Sequence, residues 1–94
     1  MSTPIRTVIV DDEALSRRGI ELRLLAEKDF QVVAQCANGS EAVAAIRSHR
    51  PDLLFLDIQM PGMTGFDVLA TVSCEIPPAV VFITAYDHYA IRAF

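Results

Sequence analysis

Short apolar runs, each the length of a strand and three of the four closed by a polar residue, constrain this chain more than any other feature. Ile5 to Val10 is β-branched apart from Arg6 and stops at Asp11-Asp12-Glu13. Phe30 to Cys36 follows, then Leu53 to Leu56, closed by Asp57, then Ala79 to Ile83, closed by Thr84. Runs of this length with β-branched and aromatic residues read as buried strands.

The segments between them carry helical spacing. From Ala14 to Glu27 the apolar positions are Leu15, Gly19, Leu22 and Ala26, and Asp12 or Glu13 can start this helix, where acidic groups suit the helix dipole. Asn38-Gly39-Ser40-Glu41 forms a cap with Glu at N3, ahead of an Ala42, Val43, Ile46 stripe that Arg50-Pro51-Asp52 ends. Met60-Pro61-Gly62-Met63 reads as a turn. Thr64 then caps a helix with Asp67 at N3 and with Phe66, Leu69 and Ala70 inward. Pro77-Pro78 breaks the chain, and Asp87 starts a last helix running to Phe94. The order βαβαβαβα implies an α/β fold with a parallel sheet covered on both faces, since near-continuous apolar strands need cover on each side.

Composition narrows the function classes. The chain has 94 residues, 52% of them hydrophobic and 21% charged, which fits one globular domain and argues against disorder. A domain this small has modest stability. The net charge of −4, with no basic stripe, makes this chain alone a poor nucleic-acid binder. Cys36 and Cys74 make no metal or disulfide framework and read as inert thiols of a reducing compartment. Met1-Ser2-Thr3-Pro4 opens no signal peptide, and no apolar stretch approaches the roughly 20 residues of a membrane span. A cytoplasmic protein without membrane contact is expected.

In a parallel sheet, sites form beyond the carboxyl ends of the strands, near the switch in strand order. Asp11 and Asp12, Asp57 and Thr84 all close strands, so they converge from distant parts of the chain. Carboxylates so close repel one another, and some stay protonated unless a cation joins them. A hard divalent ion such as Mg²⁺ takes oxygen ligands and commonly bridges carboxylates to phosphate. Such a cluster suits phosphoryl transfer, with a carboxylate as the nucleophile. A single Asp after a strand is usually only a cap or turn residue; the combination is what carries the reading.

The segments Val8-Ile9-Val10-Asp11-Asp12-Glu13, Leu53 to Gly65 and Val81-Phe82-Ile83-Thr84-Ala85 resemble, in order and spacing, the signature segments of response-regulator receiver domains of two-component signalling. The tail from Thr84 to Phe94 is most similar to receivers of LytTR-type transcriptional regulators. The resemblance implies a flavodoxin-like, doubly wound sheet of strand order 2-1-3-4. It implies Asp57 as phosphoacceptor, Mg²⁺ bound by Asp12, Asp57 and the Gln59 backbone carbonyl, and Asp11 acting through water. Thr84 would hydrogen-bond a phosphoryl oxygen, with Ile58 and Tyr86 tuning access. The phosphodonor would be a histidine kinase or phosphotransfer protein, and transfer to Asp57 would be self-catalysed, without the turnover of an enzyme.

The family adds a fifth strand, a fifth helix and a lysine closing that strand. Only ten residues follow Thr84, and Lys28 is the one lysine. Residues 1–94 are therefore expected to be a receiver short of its C-terminal elements and of its output domain, with DNA contact confined to the latter. Slow phosphorylation and a homodimer through the exposed β4 surface are expected of such a chain. Among the remaining residues, His49, His88, Arg17, Arg18 and Arg23 read as solvated, and Phe66, Phe82 and Phe94 as core. Two alternatives stay open: a metal-dependent phosphatase or phosphotransferase with an aspartyl nucleophile, and an unphosphorylated interaction module. The first fits poorly, because its enzymes usually carry Asp-x-Asp, where this chain has adjacent acids.

Overall fold

The computed structural model describes residues 3–84. The expected last helix, with Tyr86, Asp87, His88, Tyr89 and Phe94, lies outside the described residues. Strands β1 (Ile5–Val10), β2 (Phe30–Cys36), β3 (Leu53–Asp57) and β4 (Ala79–Ile83) alternate with helices α1 (Ala14–Leu25), α2 (Gly39–His49) and α3 (Gly65–Val72). A short 3-10 turn, Ser73–Glu75, follows α3 and has no counterpart in the sequence reading. The strands form one parallel sheet of order β2-β1-β3-β4. This is the doubly wound arrangement expected: the chain passes from β1 to β2 on one side, then crosses to β3 on the other.

Strand pleating sorts the core. Val8, Val10, Leu54 and Leu56 face α2 and α3, where they meet Ala42, Ala45, Ile46, Val68 and Val72. Ile9, also fully buried, lies on the alternate side, the side of α1. The α2 stripe falls as the spacing predicts, with Ala42 and Ile46 fully buried and Val43 partly so.

The caps also match their signals. The Asn38 side chain accepts from Glu41 N at 2.9 Å, while the Glu41 carboxylate turns back to Ala37 N at 2.9 Å. Thr64 and Asp67 form a reciprocal capping box, at 2.9 and 3.1 Å. At the far end of α2, Arg50 takes a left-handed conformation with φ 46°. The Arg6 guanidinium donates to the His49 carbonyl there, tying this helix end to β1.

Two helix faces correct the sequence reading. On α1 the stripe Leu15, Gly19, Leu22 and Ala26 is exposed, Leu15 to 88%. The inward side is Arg17, Ile20, Glu21 and Leu24, of which Leu24 is buried and the others partly so. This helix carries apolar residues on two sides, and spacing alone cannot say which side meets the sheet. On α3 the buried residues are Gly65, Val68 and Val72; Leu69 is half-buried and Ala70 exposed. Phe66 is 57% exposed and Phe82 42%, so neither belongs to the core; their rings pair with centroids 5.3 Å apart. That pairing places both on the outer side of α3 and β4. Helix α1 also ends at Leu25, two residues before Glu27.

Candidate functional site

The register of the sheet builds the site. Val10 pairs with Leu56, so the next residues, Asp11 and Asp57, emerge side by side at the carboxyl ends of β1 and β3. Asp57 in turn pairs with Ile83, which brings Thr84 to the same rim. Because the side-chain period of a strand is two, a slip of one residue would send one carboxylate to the opposite face. In the observed register Asp11, Asp12 and Asp57 each offer a carboxylate oxygen, and these atoms lie within 4.8 Å of one another. A cleft of about 140 Å³ opens over them, lined by Asp11, Asp12, Glu13, Ser16, Asp57, Gln59, Ile83 and Thr84. Of the residues expected from the sequence, Asp11, Asp12, Asp57, Gln59 and Thr84 line this cleft, and Tyr86 lies outside the described residues.

Asp11 and Asp57 are 3% and 7% exposed, while Asp12 is open to solvent. One oxygen of Asp57, Oδ1, accepts from Gln59 N at 3.0 Å, and Oδ1 of Asp11 accepts from Glu13 N at 2.9 Å. These local bonds hold each carboxylate against its own loop. Burial pushes the Asp57 carboxyl up to about 6, against the lowering effect of the Gln59 amide; a hydrogen bond with Asp12 and the charges of Asp11 and Asp12 raise it further. Mutual repulsion among partly buried carboxylates is what a divalent cation would relieve. The donor set, three carboxylates, is hard and suits Mg²⁺. The residues present therefore fit such an ion.

Helix α3 starts against the backbone behind Asp57. Gly65 N donates to the Ile58 carbonyl at 2.9 Å, and a Cβ on Gly65 would stand 2.6 Å from the Asp57 backbone oxygen. Only glycine lets the helix start press against the backbone that carries the acid. A Gly65→Ala protein is expected to lose about 1–3 kcal/mol by overpacking, read as a lower urea midpoint at unchanged m-value. A midpoint equal to that of the parent chain would mean that α3 moves away freely.

Sequence reasoning missed several of these residues. Glu13 and Ser16 line the cleft, and the clue available was their place within one turn of the acid pair. Gly65 stood in a signature segment without a role. Arg17 was read as solvated, yet it is half-buried and donates to the Asp11 carbonyl at 2.6 Å. Arg18 does stand in solvent, paired with Glu21 at 2.7 Å. The thiol of Cys36 is pushed up to about 11, first by burial and then by Glu41, which agrees with an inert cysteine. Among the described residues, no helix is long and apolar enough to cross a membrane.

Comparison with known proteins adds the following. Residues 7–94 match the family described as response regulator receiver domain. The chain is 46% identical over 90 residues to the transcriptional regulatory protein BtsR of Salmonella typhi, covering 96% of this chain and 38% of that protein. It spans, then, well under half of the curated relatives it matches. Among solved structures it is similar to the signal receiver domain of the response regulator NarL from Mycobacterium tuberculosis, with a TM-score of 0.81 and 35% identity, over 89% of this chain and 68% of that one. It is also similar to a chain in the CheX–CheY–BeF3–Mg²⁺ complex from Borrelia burgdorferi, with a TM-score of 0.75 and 29% identity, over 87% of this chain and 63% of that one.

Proposed function

This chain belongs to the response regulator receiver domain family, and from that premise we propose that Asp57 accepts a phosphoryl group in a Mg²⁺-dependent transfer that switches an output function. The observation that carries the proposal is the cluster of Asp11, Asp12 and Asp57 oxygens within 4.8 Å at the strand ends. Asp57 is the acceptor because it stands in the wall of the cleft on β3, with Oδ1 engaged by Gln59 N. Its second oxygen is the one proposed to attack phosphorus. Asp11, Asp12, Asp57 and the Gln59 backbone carbonyl would hold the ion. When bound, Mg²⁺ supplies positive charge against the carboxylates and the incoming phosphoryl oxygens.

The residues of the chain do the rest. A P–O bond forms to Asp57 as the P–N bond of a donor phosphohistidine, or the P–O bond of acetyl phosphate, breaks, and the leaving group departs into the open side of the cleft. Thr84 lines that cleft and would donate to a phosphoryl oxygen. A histidine kinase or phosphotransfer protein is the proposed donor. Transcription is the proposed output, supported by the transcriptional regulators among the relatives.

Mass spectrometry after incubation with acetyl phosphate and Mg²⁺ tests this. The expected product carries one phosphoryl group on Asp57, stable in acid and released by base. Turnover of acetyl phosphate without an adduct, or an adduct on another residue, would overturn the assignment.

A further inference from the structure

Arg17 stands outside the acidic cluster but is bonded to it. Strands β1 and β2 end on the same rung, Val10 opposite Cys36. The Asp11 N–H still bonds the Cys36 carbonyl at 3.0 Å, the last rung on that side. In a parallel ladder the Asp11 carbonyl would next accept from a residue beyond Cys36. That donor would be Asn38 N, but there the chain has turned into α2, with Asn38 as the helix N-cap. The Arg17 guanidinium fills the place of the missing donor, reaching the Asp11 carbonyl at 2.6 Å from the first turn of α1. Asp11 is thereby held on three sides: by Cys36 through its N–H, by Glu13 N through its carboxylate, and by Arg17 through its carbonyl.

We propose that Arg17 is a positioning residue for the cation site: its bond to the Asp11 carbonyl fixes the exit of β1 so that the carboxylates of Asp11 and Asp12 face Asp57. The inference rests on the metal-site reading above. It makes a prediction opposite in sign to that of simple electrostatics. A positive charge beside a cation site repels the cation, so removing it would tighten Mg²⁺ binding if charge were its only effect. Loss of a group that orients metal ligands weakens binding instead, typically by about 10-fold or more.

The experiment is calorimetric titration of the chain with MgCl₂, comparing the parent protein, Arg17→Met and Arg18→Met. Arg18 is next in sequence, equally charged and, among the described residues, engaged only with Glu21, so its loss controls for net charge. Arg17→Met should weaken Mg²⁺ binding about tenfold, with Arg18→Met unchanged or slightly tighter, and the yield of phosphorylated Asp57 should return at saturating Mg²⁺. Should Arg17→Met fail to fold, Arg17→Gln, too short to reach the carbonyl, is expected to show the same loss. Mg²⁺ affinity equal to or above that of the parent in a folded Arg17 variant overturns the inference. A parent chain that binds Mg²⁺ but takes no phosphoryl group would overturn the phosphoacceptor assignment and leave this one intact. A parent chain that binds no Mg²⁺ overturns both.

Discussion

An Asp57→Asn protein should take up no phosphoryl group from acetyl phosphate, and yet in the absence of divalent ions it should resist urea better than the parent chain at neutral pH. Both effects come from the same carboxylate. Burial beside Asp11 and Asp12 raises the folded-state pKa of Asp57 from 3.8 to about 6. Between those values the native state holds a proton that the unfolded chain has released. The resulting stability is fully present below the unfolded value and is lost as pH rises through about 6. At pH 7 the folded chain therefore carries a buried, ionised acid in a field of like charge. Asparagine keeps the shape without the charge.

The gain is on the order of 1–3 kcal/mol at neutral pH, from about 1.4 kcal/mol for each unit of pKa displacement. It should shrink toward zero as pH falls below about 4, where Asp57 is protonated in both states. Adding Mg²⁺ to the parent chain should close the gap by linkage, because the ion binds only the folded state. Urea midpoints of the two proteins across this pH range, with and without MgCl₂, test the account. A variant less stable than the parent at every pH would show that Asp57 is held by favourable contacts, and that the cluster is not strained.

Truncation of Leu56 to alanine should be the more damaging change to the fold. Leu56 is fully buried, pairs with Val10 in the ladder and with Phe82 on the other side, and lies under the start of α3. Leucine-to-alanine changes at such positions cost about 2–5 kcal/mol, through lost transfer energy and the cavity left behind. Domains are stable by only about 5–15 kcal/mol, and one this small stands toward the lower end. The variant should lose a large share of its cooperative unfolding transition. Because Leu56 precedes Asp57 and meets the turn beneath Gly65, Mg²⁺ affinity should fall with stability. A midpoint shift equivalent to less than about 1 kcal/mol would mean that α3 closes over the cavity.

Much of this architecture is legible along the chain. The four strands begin where their apolar runs begin, and the two central ones, β1 and β3, are the most continuously buried, as strands covered on both faces must be. The caps at Asn38 and Thr64 are local, set by side chains within three residues of the amides they satisfy. That the residues closing β1, β3 and β4 are polar is likewise written in order of sequence, and parallel topology is enough to send them to one rim. Local pattern thus determined the elements, their class and the identity of the acids.

What only the tertiary structure decided is which of several equivalent local choices is used. Helix α1 has two apolar sides, and the sheet accepted the one bearing Leu24, leaving Leu15 and Leu22 in the open. Phe66 looks inward by spacing, but Val68 and Val72 occupy the inner side of α3 and Phe66 turns to Phe82. The meeting of Asp11 with Asp57 depends on the pairing of Val10 with Leu56, a relation between residues 46 positions apart that no window of sequence contains. Arg17 acquires its role because β2 ends at Cys36 and offers the Asp11 carbonyl no further rung, and that vacancy exists only once two strands lie side by side. Periodicity records how a segment divides its own surface; which part is covered, and by what, is settled by the packing of the whole chain.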